Sequence, residues 1–142
     1  MDVAAWLRGV PDLRSVAILS NPANPNHALL TRHVEVAAQG LGLHVRVIQA
    51  RGPHEFDGAF TAMAEQGADA LIDVGDALFG FHAARLAELA VKNRLPSMHQ
   101  RRAPVQTGGL MSYGPDVVDF WRSAPTFIDK LLKGAKPSDL PV

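Results

Sequence analysis

The sequence predicts an α/β chain: an open, mostly parallel five-stranded sheet with helices on both faces, Rossmann-like in its winding. Two observations lead there. Five short apolar runs alternate with longer segments whose apolar residues recur at helical spacing, the alternation that builds βαβ units. The runs are near-continuous in apolar character, as strands covered on both faces require. Right-handed crossovers then wind the helices onto both faces.

The elements follow in order. Asp2 to Arg8 reads as a short helix with Trp6 as an anchor, ended by Gly9-Val10-Pro11. Arg14 to Ser20 is the first strand. It stops at Asn21-Pro-Ala-Asn-Pro25, where Asn24 is the expected cap and Pro25 the expected first residue of a helix. That helix runs to Leu41, with Leu30, Val34, Ala38 and Leu41 as its core stripe. Gly40 and Gly42 end it. Leu43 to Gln49 is the second strand, rich in branched residues. Pro53 opens a helix that presents Phe56, Phe60 and Met63 on one face, and Gly67 stops it. Ala70 to Val74 is the third strand. Gly75 to Phe79 reads as a loop before a helix reaching Asn93, with Ala83, Leu86, Leu89 and Ala90 inward. Ser97 to His99 is the fourth strand, Gln100 to Gln106 a weakly helical connector, and Leu110 to Tyr113 the fifth strand. The last helix starts at Gly114-Pro115-Asp116 and turns Val117, Phe120, Trp121, Ala124, Phe127, Ile128 and Leu131 inward. Pro125 lies inside it, where proline costs about 3 kcal/mol in an ideal helix, so a kink or break is expected there. Gly134 to Val142 is a polar tail.

At 142 residues the chain has the size of one domain. Its formal net charge is zero, so it lacks the basic excess of a nucleic-acid binder and has no bias toward an anionic membrane. With no cysteine, disulfides, thiolate metal sites and cysteine nucleophiles are excluded. No run is apolar enough to span a bilayer. Met1-Asp2-Val3 is not a basic segment leading into an apolar core, so no signal peptide is expected in this chain.

The usual chemical motifs are missing. The loop after the first strand has two prolines and no glycine, so it lacks the free N–H groups of a phosphate-binding loop. A phospho-acceptor receiver would need paired acids there and a lysine after the fifth strand; those places hold Ser20-Asn21 and Tyr113-Gly114. His27, His33, His44, His54, His82 and His99 share no metal-ligand spacing and read as separate surface or partly buried side chains. There is no G-x-S-x-G elbow. No catalytic residue, metal site or cofactor is expected. In open α/β sheets ligands bind beyond the carboxyl ends of the strands, and four residues stand there. Asn21 either closes its own turn or contacts a ligand. Asp76 either caps the next helix or pairs with a ligand amine. Phe79 is a core plug or a stacking surface. Tyr113 either lines a pocket, offering ring and hydroxyl, or packs in the core. His99 is a weaker candidate.

Several segments, in this order and spacing, are similar to one family: Val16-Ala-Ile-Leu-Ser-Asn-Pro-Ala-Asn-Pro25, Arg51-Gly-Pro-His-Glu-Phe56, Ala68-Asp-Ala-Leu71, Asp76-Ala-Leu-Phe79, Gly108-Gly-Leu-Met-Ser-Tyr-Gly-Pro-Asp116 and Asp129-Lys-Leu-Leu-Lys-Gly-Ala-Lys-Pro137. The chain resembles the extracytoplasmic solute-binding proteins of ABC transporters with a periplasmic-binding-protein type I fold, in the subgroup associated with aromatic amino acids. Ala77, where the family usually has proline, and the segment Ser123 to Thr126 depart from its pattern. The resemblance implies two lobes with a solute cleft between them, residues 1–142 being a single α/β domain like the C-terminal lobe. It implies a small-molecule solute, an N-terminal lobe and a membrane permease as partners, a periplasmic or extracytoplasmic location, and no catalysis. Asn21, Asp76, Phe79 and Tyr113 would face the cleft. A ligand-sensing regulatory domain of the same fold is the alternative. An isolated lobe exposes cleft and hinge surfaces, so a homodimer is expected.

Overall fold

The computed structural model describes residues 12–112, 114, 117–136 and 138. The helix expected at Asp2 to Arg8 and the end of the polar tail lie outside them. The elements are β1 (Ser15–Ser20), α1 (His27–Gln39), β2 (His44–Gln49), α2 (Phe56–Glu65) after a 3₁₀ turn at Pro53–Glu55, β3 (Ala70–Asp73), α3 (Ala77–Phe81), α4 (Ala83–Lys92), β4 (Ser97–His99), α5 (Ala103–Gln106), β5 (Met111–Ser112) and α6 (Val117–Leu132). The sheet order is β2-β1-β3-β4-β5 and every pairing is parallel.

β1 is an inner strand, with a strand on each side and helices over both faces, and Val16 to Leu19 are wholly buried. Its side chains alternate between two cores. Val16 and Ile18 join Val34 and Ala38 of α1. Ala17 and Leu19 join Phe56, Phe60 and Met63 of α2 and Leu86 and Leu89 of α4. Each of these large side chains contributes about 1.5–3 kcal/mol by leaving water. At the amino end of the sheet the Asp69 carboxylate accepts the N–H groups of Arg14 and Ser15, both at 2.9 Å. Those bonds fix the register of β1 against β3.

Within the described residues the expected elements are present with shifted ends. α1 begins at His27, two residues after the expected start, because Asn24 and Pro25 are used in a turn. The segment after β3 is helical from Ala77, and the expected long helix divides at His82. Helix α6 continues through Pro125, so the break expected there does not occur. Of its expected inward stripe, Ile128 and Leu131 are 56% and 41% exposed, and the side chains of Val117, Phe120, Trp121 and Phe127 lie outside the described ones.

Candidate functional site

In this strand order the chain leaves β1 toward β2 on one side and returns to β3 on the other. The carboxyl ends of β1 and β3 therefore flank the topological switch point, where a crevice opens in folds of this kind. The β1 exit is built from two successive Asn-Pro turns. Asn21 Oδ1 accepts the Ala23 N–H at 3.0 Å, and Asn24 Oδ1 accepts the Asn26 N–H at 3.0 Å. Each proline has no N–H to offer, so each asparagine closes on the residue two positions on. Asn24 thus ends up stabilising a turn; the residue at the helix boundary, Asn26, makes no side-chain cap bond.

The β3 exit turns at Gly75, whose φ of +80° suits only glycine. A side chain there would also overlap Gln100, and one at Gly114 would overlap the Gln100 carbonyl. The exits of β3 and β5 therefore close around Gln100, a residue that no local motif singles out. Asp73 Oδ1 accepts the Gly75 N–H at 2.8 Å. Asp76 is extended and caps α3, its Oδ1 accepting the Leu78 N–H at 2.8 Å.

The two exits are joined through Asp76. Its Oδ1 also accepts from the Asn21 amide at 3.3 Å, and its Oδ2 accepts from the Asn24 amide at 2.7 Å. His27, at the start of α1, completes the bridge. Its Nδ1 accepts the Asn21 N–H at 2.8 Å, so the ring proton sits on Nε2. Nε2 is 3.2 Å from the Gly75 carbonyl and 3.4 Å from Asp76 Oδ2. Burial alone would raise the Asp76 carboxyl. The bonds from Asn24, Leu78 N–H and Asn21, with His27 adding in the same direction, outweigh it and hold the group below its ordinary value of 3.8.

Both oxygens of Asp76 are therefore occupied, and its role in the bridge is positioning. The amide nitrogens of Asn21 and Asn24 each spend one hydrogen on it and keep a second for a ligand or solvent acceptor. Phe79 is fully buried. Its ring lies 6.0 Å from that of His27 and 6.2 Å from that of Phe56, so it supports the bridge from below and has no face open as a stacking surface. Tyr113 lies outside the described residues.

The expectation of separate surface or partly buried histidines fails for two of the six. His27 and His99 are 2% and 1% exposed, because each finds a carboxylate that lets a polar ring enter the core. His99 Nδ1 is 3.3 Å from Asp73 Oδ2 and Nε2 is 2.9 Å from Ser97 Oγ. The three residue types match a hydrolytic triad, but Ser97 is 1% exposed and lies at the start of β4, away from the carboxyl edge. The relay reads as internal satisfaction of buried polar groups. Asn24 and His27 were missed because their partners lie about fifty residues away; the one local signal was the repeated Asn-Pro pair.

Among the described residues no helix is long and apolar enough to cross a membrane, and no group of three His, Asp or Glu residues is placed to hold a metal ion.

Comparison with known proteins adds the following. The family model for ABC transporter substrate binding proteins matches residues 6–142. No curated protein matches the sequence. A Streptococcus pneumoniae structure, an ABC domain in complex with L-Trp, superposes with a TM-score of 0.81 at 23% identity, over 98% of this chain and 47% of its own. A conserved domain protein from Vibrio cholerae gives 0.81 at 19%, over 99% and 49%. A ligand-free, open substrate-binding protein with adhesive properties from Clostridium difficile gives 0.72 at 20%, over 94% and 45%. At these identities the likeness is one of fold, and the chain spans about half the length of the structures it matches.

Proposed function

Since this chain belongs to the family of ABC transporter substrate-binding proteins, we propose that it is the C-terminal lobe of a two-lobe solute-binding protein and that its carboxyl-edge loops form one wall of the cleft. The observation that supports this reading is the Asn21–Asn24–Asp76–His27 bridge across the switch point. It ties the exits of β1 and β3 into one surface, and a wall that keeps its shape loses less entropy when a ligand binds. Asn21 and Asn24 supply amide donors, Asp76 and Phe79 hold them in place, and Tyr113 is a further proposed contact to the solute. The solute is a small molecule, with an amino acid as the first class to test, and the parent protein works outside the cytoplasm with a permease that imports it. Binding in this class needs no catalysis.

A two-lobe binder gains its affinity by closing over the ligand. Calorimetry with a panel of amino acids that includes L-Trp is expected to give only millimolar-range or weaker binding to this chain, with a gain of about 100-fold or more once the complementary lobe is joined to it. Nanomolar binding by the chain alone, or no solute bound by the two-lobe protein, would refute the proposal. The isolated chain is expected to dimerise over its exposed apolar residues, among them Phe81, which is 88% exposed. Light scattering at high concentration should give twice the chain mass, and the monomer mass for Phe81→Ser.

A further inference from the structure

At the amino ends of β4 and β5, on the opposite rim of the sheet from the Asp76 bridge, lies a groove of about 230 Å³. Ala90, Val91, Leu95, Pro96 and Leu110 make it apolar, and Arg94 lies on its border. Val91 and Leu110 are 60% and 61% exposed.

Arg94 is in the left-handed conformation, φ +54°. It follows the last turn of α4 in a Schellman arrangement, with Arg94 N bonded to Val91 O and Leu95 N to Ala90 O. Helices α1, α2 and α6 end in the same pair of bonds, and there the left-handed residue is Gly42, Gly67 or Gly134. Glycine suits that position because it has no Cβ to crowd the carbonyl. The chain therefore places an arginine where α1, α2 and α6 use glycine. The guanidinium has no hydrogen-bond or ion-pair partner among the described residues. Lys92 already supplies a cation for the carboxyl end of α4, so helix-dipole compensation does not account for Arg94.

We propose that this groove docks a segment of a partner protein that presents an apolar side chain beside an aspartate or glutamate. The apolar side chain fills the groove, and the carboxylate meets Arg94. The groove is smaller than the 300–1,000 Å³ typical of small-molecule sites and its walls are open, which suits a side chain offered from a surface. Its place on the far rim leaves it accessible whether or not a solute occupies the carboxyl edge.

The test is a ¹H–¹⁵N NMR titration of this chain with N-acetyl-Leu-Glu-amide and N-acetyl-Leu-Gln-amide, repeated on Arg94→Gly and Leu110→Ser. Saturable shifts are expected at Val91, Arg94, Gly108 and Leu110. The glutamyl peptide should bind about 3–5-fold more tightly than the glutaminyl one, as an exposed ion pair allows. Arg94→Gly should abolish that preference while raising the melting temperature by about 2–4 °C through relief of the left-handed residue. Leu110→Ser should weaken both peptides. Equal binding of the two peptides, an absence of groove shifts, or a lower melting temperature in Arg94→Gly would overturn the proposal. Tighter binding of free phenylacetate than of the glutamyl peptide would assign the groove to a small acid and overturn it as well.

Discussion

Asp76→Asn is expected to destabilise the fold by about 2–4 kcal/mol, although it only exchanges one oxygen for an NH₂ of nearly the same size. The Asp76 carboxylate accepts from three donors, Leu78 N–H, Asn21 and Asn24, and His27 Nε2 lies 3.4 Å from its Oδ2. An asparagine can keep its oxygen toward Leu78 and Asn21. Its NH₂ would then face the Asn24 amide and the His27 Nε2–H, donor against donor. Flipping the Asn24 amide does not relieve this, because Asn24 Oδ1 is accepting from Asn26 N–H at 3.0 Å. Thermal unfolding followed by circular dichroism should show a midpoint about 6–12 °C lower at pH 7.

The pH dependence of that loss has a definite sign. The folded Asp76 titrates below 3.8, so the unfolded chain takes up its proton first as pH falls. The stability that the carboxylate contributes is fully present above 3.8 and is lost as pH drops through the folded value. The gap between the parent chain and Asp76→Asn should therefore stay constant from pH 7 to 5 and begin to close below about pH 4. A gap independent of pH down to 3 would show that the carboxylate charge is not the source.

Phe79→Ala is expected to cost about 3–5 kcal/mol, the range for removing a fully buried aromatic ring. The ring sits under His27 and against Phe56, so its loss opens a cavity beneath the bridge and also reduces the apolar surface buried in the core. Denaturant unfolding should show a lower midpoint with an unchanged slope. In the two-lobe protein, solute affinity measured well below the melting temperature should fall by less than about tenfold, because the ring supports the wall and does not form its surface. A large loss of affinity with unchanged stability would instead make Phe79 a contact residue.

Much of the fold was legible because the signals are local. The near-continuous run Val16 to Leu19 had to be a strand covered on both faces, and Phe56, Phe60 and Met63 fall on one side of any helix that contains them. Turn residues fixed most of the ends. Where the expectation slipped, longer-range effects decided. Asn24 and Pro25 looked like a cap and a first helical residue, but the pair repeats Asn21 and Pro22, and both pairs close turns before α1. Pro125 looked like a break, yet α6 runs on through it. Ile128 and Leu131 looked buried by periodicity, but periodicity specifies only which residues share a face, not whether anything covers that face.

The site divides the same way. From its own residues the sequence determined the alternation of strands and helices, the two-sided burial of β1, and the placement of Asn21 and Asp76 at strand exits, since each depends on neighbours within a turn or two. Only the tertiary structure decided that β1 and β3 lie side by side at the switch point, that His27 and His99 are buried against Asp76 and Asp73, and that Phe79 points into the core. Those outcomes rest on hydrogen bonds and packing between residues 23 to 55 positions apart. Such a partner is chosen by strand order and register, and neither is written in the local pattern of either segment.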